Sequence, residues 1–158
     1  MTAHPTWLPP IFQMSPWNEA VMEALYAIFR RDFIDNPASY RGNRVWFFPE
    51  RDREKENIFW HLVERDDNDN DARLPDFRRS ERLPWARPML DNVGQPEVLD
   101  WDYEEGKGDI RTYVWLKDFD YLIVMKKYPN GQRRLVTAYY VDYENTRQKL
   151  QKKYDRRM

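Results

Sequence analysis

The chain has 158 residues, 41 % of them hydrophobic and 34 % charged, a globular composition of one ordinary domain's length with no apolar run long enough to span a membrane. Cysteine is absent, which excludes disulfides, thiolate nucleophiles and sulfur-based zinc sites. The start of the chain shows no charged segment followed by an apolar one, so a soluble, cytoplasmic protein without a signal peptide is expected.

The formal net charge of -1 weighs against a strongly basic nucleic-acid binder, but it conceals a segregation. Residues 125–158 carry ten basic against three acidic side chains and so stand at +7, whereas residues 1–124 carry 16 against 24 and stand at -8. Aromatic residues reach 16 %, more than a core of this size requires, so some rings are available to a ligand.

Residues 1–15, with Pro5, Pro9 and Pro10 among Trp7, Leu8, Ile11 and Phe12, read as an arm that packs its aromatics on the body. Ser15 before Pro16 gives a helix start, and Trp17, Val21, Ala24, Leu25 and Ile28 continue it to about residue 31. Residues 45–49 suggest a short strand. A second helix over about 52–65 is predicted from the stripe Ile58, Phe59, Leu62, Val63. The polar run 66–71 invites a calcium-loop reading that fails, because the positions for the obligatory glycine and closing glutamate hold Ala72 and Arg78, or Asp71 and Phe77. It reads as a solvated loop. The arginine-rich, proline-broken stretch 73–88 allows only short helical turns, near 76–83 and 85–92.

From residue 95 the period changes to two, and residues 97–103, 110–116, 121–128 and 132–141 read as four strands, with Pro129-Asn130-Gly131 as a hairpin turn. Asp142 then caps a C-terminal helix with Tyr143, Arg147, Leu150 and Tyr154 facing inward. The expected class is α+β: N-terminal helices, a four-stranded antiparallel sheet and a C-terminal helix.

A two-residue turn at Asn130-Gly131 would set Lys126 opposite Leu135, Val124 opposite Thr137 and Leu122 opposite Tyr139 on one face. The opposite face is almost wholly apolar. A lysine, a hydroxyl and a phenol near a sheet centre either form a site or serve packing and β-propensity. His61 is the only histidine outside the arm, so any imidazole chemistry in a structured region falls to it. No nucleophile elbow, phosphate-binding glycine loop or dinucleotide fingerprint is present, and five glycines leave little material for one. No nucleotide cofactor and no metal are expected. Arginine and lysine without metal ligands point to an anionic substrate, most simply a phosphodiester.

The segments Phe59-Trp60-His61-Leu62-Val63-Glu64-Arg65, Arg78-Arg79-Ser80-Glu81-Arg82-Leu83-Pro84-Trp85, Pro88-Met89-Leu90-Asp91-Asn92, Tyr121-Leu122-Ile123-Val124-Met125 and Leu135-Val136-Thr137-Ala138-Tyr139 follow one another in order. Together they resemble the phage-associated branch of the barnase, EndoU, colicin and RelE group of ribonucleases, over residues 44–154. The resemblance implies a metal-independent endoribonuclease, toxin-like or phage-borne, in which a 2′-hydroxyl attacks the neighbouring phosphorus. It implies His61 as the proton-transfer residue and Arg82, with Arg79 as second choice, as the phosphate-neutralising cation. It further implies Thr137 and Tyr139 as sheet residues of the cleft. Lys126 joins the substrate-binding set by register and Trp85 by its place in the arginine block. RNA is the expected substrate, an immunity or antitoxin protein an expected partner, and the oligomeric state is open. Two other readings stand beside it: a catalytically silent RNA- or protein-binding module of the same fold, and a protein-interaction role carried by the aromatic arm. The block's arginines also suit ion pairing with the 66–71 run.

Overall fold

A computed structural model describes residues 3–67 and 72–158, with the side chains of Asp67 and Ala72 set aside. The predicted solvated run continues into residues 68–71, outside the described residues. The architecture is α+β, as its residue pattern implies, but the sheet is larger than four strands.

The arm packs as expected. Leu8 and Met14 are buried, Phe12 donates its backbone N–H to Glu81 O at 2.8 Å, and the Trp85 indole donates to Pro9 O at 2.7 Å. Helix α1 (Glu19–Phe29) starts three residues beyond Pro16, because Asn18 rather than Ser15 caps it by accepting from Val21 N at 2.9 Å. A π-helical turn, Arg30–Asp35, prolongs it. Strands β1 (Ser39–Tyr40) and β2 (Asn43–Trp46) follow, then a hairpin of β3 (Arg51–Asp52) and β4 (Lys55–Glu56). Its two turn residues, Arg53 and Glu54, take positive φ of 50° and 67° without a glycine. That hairpin occupies the first part of the predicted second helix, so α2 is confined to Asn57–Val63.

The strands β5 (Glu64–Asp67) and β6 (Ala72–Pro75) pair as a second hairpin, followed by α3 (Phe77–Ser80) and α4 (Leu83–Asp91). The meander is β7 (Val98–Gly106), β8 (Asp109–Leu116), β9 (Tyr121–Lys127) and β10 (Arg133–Tyr140), and α5 (Glu144–Asp155) closes the chain. The sheet order is β1-β2-β10-β9-β8-β7, with β2 parallel to β10. The predicted four-stranded antiparallel sheet is thus a six-stranded mixed one. The residue 45–49 segment is the difference: Val45 and Trp46 pair with Arg133 and Arg134.

One sheet face, with Tyr121, Ile123, Met125, Leu135 and Ala138, is buried beneath α1, α2 and α4. The other face, with Trp115, Leu122 and Trp101, meets Leu150 of α5. Tyr143, predicted to face inward from that helix, is 70 % exposed.

The β9–β10 register corrects the two-residue turn. Tyr128 N–H donates to Gln132 O at 3.0 Å, which closes a three-residue loop, Pro129-Asn130-Gly131, with Gly131 at φ +88°. Lys126 therefore opposes Arg134, not Leu135, and Leu135 opposes Met125 on the buried face. A bulge at Val136 then inserts one residue and restores the predicted pairs Thr137–Val124 and Tyr139–Leu122. Two departures of one residue cancel.

Candidate functional site

The bulged stretch of β10 is free of β2, which pairs only with Arg133 and Arg134, so its outer edge is met by α2 and α3 instead. A cleft of about 600 Å³ opens there. Its walls are α2 (Asn57, Ile58, His61), the β5–β6 hairpin (Arg65, Asp66, Arg73), the segment with Phe48 and Glu50, and β10 from Arg134 to Thr137 with Tyr139. Arg79 reaches in from α3. Four arginines face two carboxylates, so the cleft favours an anion.

Of the residues singled out from sequence, the structure brings His61, Arg79, Thr137 and Tyr139 together in this cleft. Arg79 is the hub. Asp76 caps α3 by accepting from Arg79 N–H at 3.0 Å, and the guanidinium Nη1 donates to His61 O at 2.7 Å. The same guanidinium lies 5.7 Å from the Tyr139 ring centre. Thr137 Oγ1 donates to the same His61 carbonyl at 3.3 Å. These contacts hold the end of α2, and with it the His61 imidazole, against the β10 edge.

Partial burial, reinforced by the positive charges of Arg73 and Arg79, holds the His61 imidazole below its ordinary pKa, with Asp66 and Glu64 opposing. It is therefore neutral at pH 7 and able to accept a proton. Burial raises the Tyr139 phenol, although Arg79 pulls the other way, so this hydroxyl keeps its proton at neutral pH. Burial also lowers the Arg79 guanidinium from its ordinary value, with Asp76 opposing. A guanidinium starts so far above neutrality that its charge persists.

Three placements are corrected. Arg82 lies outside the cleft: it donates to Glu81 Oε1 at 2.6 Å and Arg78 O at 3.0 Å, and its guanidinium stacks on Tyr140 at 4.5 Å. The reason is local, since α3 stops at Ser80 and Arg82 is the residue from which α4 restarts, so the two arginines do not share a helix face. Trp85 is a core residue, 3 % exposed, between the arm and Tyr121. Lys126 does not line the cleft: it stands on β9, one strand inward from its partner Arg134 at the cleft's edge. Among the described residues the arginines of 78–82 pair nearer to hand: Arg78 and Arg82 take Glu81, and Arg79 lies 3.7 Å from Asp76.

Residues not singled out complete the walls. Arg73 bridges Asp66 at 2.6 Å and Glu64 at 3.4 Å. Glu64 is buried and receives a two-pronged contact from Arg53 at 2.8 and 2.9 Å, with Arg53 stacked 4.0 Å over Trp60. This ties the β3–β4 hairpin to the β5–β6 hairpin behind the cleft. Arg134, regularly paired with Lys126 and Trp46 ahead of the bulge, lies 4.3 Å over Phe48 and donates to Tyr128 Oη at 3.0 Å. Strand alternation would have found Arg134 had the loop been read at three residues. Arg73 was hidden because nothing in 64–75 carries a glycine turn signal.

Fold and cleft together define an α+β protein with an arginine-lined cleft at a bulged sheet edge. No protein-family model, curated protein or solved structure matches the chain. The likeness to the ribonuclease group thus rests on the sequence motifs.

Proposed function

We propose that the chain is a metal-independent endoribonuclease whose phosphodiester lies in the cleft between α2 and β10. The observation that supports this reading is the convergence of a neutral imidazole, a half-buried arginine, a threonine hydroxyl and a protonated phenol at one edge. In this mechanism His61 takes the proton from a ribose 2′-hydroxyl. The 2′-oxygen bonds to phosphorus, the bond from phosphorus to the 5′-oxygen breaks, and Tyr139 supplies the proton that the leaving oxygen needs. Products are a 2′,3′-cyclic phosphate end and a 5′-hydroxyl end. Arg79 and Arg134 neutralise the charge that builds on the phosphoryl oxygens.

One observation favours the second reading, an RNA-binding module without turnover. Arg79 and Thr137 both spend a hydrogen bond on the His61 backbone carbonyl, which is a structural use of groups the mechanism needs. RNA incubated with the protein in EDTA separates the two. Cleavage to cyclic-phosphate ends that disappears in His61→Ala supports the enzyme, and salt-sensitive binding without cleavage supports the module.

A further inference from the structure

The cleft does not end at Arg134. Strand registers align five residues in a single row across the sheet: Trp46 pairs with Arg134, Arg134 with Lys126, Lys126 with Arg111, and Arg111 with Tyr103. Directly paired residues project to the same face, so three cations on adjacent strands stand side by side with an aromatic ring at each end. Neighbouring strands are about 4.8 Å apart, and like charges set directly opposite destabilise a sheet. The row is held by neighbouring rings and one acid, Arg134 donating to Tyr128 Oη at 3.0 Å and Arg111 pairing with Asp109, and its mutual repulsion is relieved further by an anion.

The row lies on the sheet face that α5 covers only in part. Leu122 and Trp115 meet that helix, whereas Tyr103 and Val124 at the row are only partly buried. Among the described residues no carboxylate forms an ion pair with Lys126, Arg134 or the exposed Arg44 beside them. Arg111 holds Asp109 at 3.0 Å. Glu105 is taken by Lys153. Aromatic rings interleave with the charges: Tyr128 lies 5.8 Å from the Lys126 ammonium and 5.3 Å from the Trp46 ring, and Phe48, 48 % exposed, lies 5.5 Å from Trp46.

We propose that this row is a track for single-stranded RNA that enters the cleft at Arg134, with Arg134, Lys126 and Arg111 on successive phosphates and Trp46 and Phe48 stacking bases. Lys126 and Arg134, without a carboxylate partner among the described residues, and Arg111, shared with Asp109, interleave with accessible rings, which is the chemistry of single-strand binding, because phosphates take the charge and every base has a face to stack. This inference rests on the ribonuclease or RNA-binding reading of the cleft and extends it to substrate class: single strands of several nucleotides rather than a mononucleotide or a duplex.

The test is fluorescence anisotropy with a labelled single-stranded RNA of about twelve nucleotides, across a salt series. In Lys126→Gln/Arg111→Gln the affinity is expected to fall about tenfold at low salt, and the slope of log K against log salt to shrink by about 1.4, two phosphate contacts' worth. The pair Lys126→Arg/Arg111→Lys retains both charges and restores the wild-type slope, and circular dichroism checks that each variant is folded. A double variant that binds with unchanged affinity and slope overturns the track while leaving RNA binding in the cleft intact. Wild-type protein that binds no RNA at low salt overturns the cleft reading and the track together. Polyglutamate binding as tightly as the RNA overturns the assignment to nucleic acid.

Discussion

Arg79→Ala probes fold and site at once. The Arg79 side chain is only 15 % exposed, and its guanidinium makes a 2.7 Å hydrogen bond to His61 O, with the Tyr139 ring centre at 5.7 Å. A hydrogen bond from a charged donor contributes about 1.5–3 kcal/mol, toward the low end at a solvent-exposed contact such as this one, and a cation over a ring adds about 0.5–1 kcal/mol. Against this, removing a guanidinium that burial disfavours returns part of its desolvation cost, and Thr137 still donates to the orphaned carbonyl at 3.3 Å. The expected net loss is about 2 kcal/mol. Urea unfolding measures it: with a slope of about 2 kcal/mol per molar, the midpoint falls by about 1 M. RNA affinity should fall in parallel, and Arg79→Lys should recover charge but not the directed contact. An unchanged midpoint together with unchanged RNA affinity would refute the claim that Arg79 both anchors α2 and presents a cation.

Three further outcomes are expected. Asp102 accepts from Thr112 at 2.6 Å and Lys127 at 3.1 Å and pairs with Arg133, 7 % exposed, at 3.2 Å, so Asp102→Asn strands a buried guanidinium and should cost about 3 kcal/mol in chemical denaturation. Burial raises the Asp102 carboxyl, but Thr112, Lys127 and Arg133 more than offset this, and its pKa lies below the ordinary value; its contribution is present at neutral pH and is lost as pH falls through that lowered pKa, which acid titration in the wild type but not in the variant would reveal. Gly131→Ala sets a Cβ at φ +88° and 2.8 Å from Asn43 Oδ1, and should cost about 1–2 kcal/mol by thermal unfolding, with Asn43→Ala relieving only the contact part. The rate of RNA cleavage should rise with pH through the lowered His61 pKa and then level off, because His61 acts as a base; a profile that falls over that range would reverse its role.

The meander was legible because β7 to β10 alternate with period two and are joined by short turns, and the apolar stripe of α2 placed His61 on a helix. What escaped the sequence escaped for local physical reasons. The Arg53-Glu54 turn holds two left-handed residues without glycine, so its hairpin looks like the start of a helix. β2 joins the sheet in parallel through two residues, a long-range pairing that alternation does not report. Thr137 and Tyr139 were placed opposite their true partners only because a loop one residue longer was offset by the Val136 bulge. Lys126 and Leu135, on the loop side of that bulge, exposed the error. Arg79 and Arg82 differ by the helix break between them, which no spacing rule reveals.

The basic C-terminal third also resolves into parts. Arg133, Lys127, Arg147 and Lys153 are committed to Asp102, Asp120 and Glu105. Lys126 and Arg134 are the cations of that segment that stand beside the cleft without an acidic partner among the described residues. Local rather than total charge therefore decides what this face attracts.

The most direct test of the cleft's chemistry is incubation of single-stranded RNA with wild type and His61→Ala in EDTA, with the ends of the products identified by mass spectrometry. The wild type is expected to leave 2′,3′-cyclic phosphate ends, and the folded variant to leave the RNA intact. Intact RNA from both proteins, or equal cleavage by both, would contradict this.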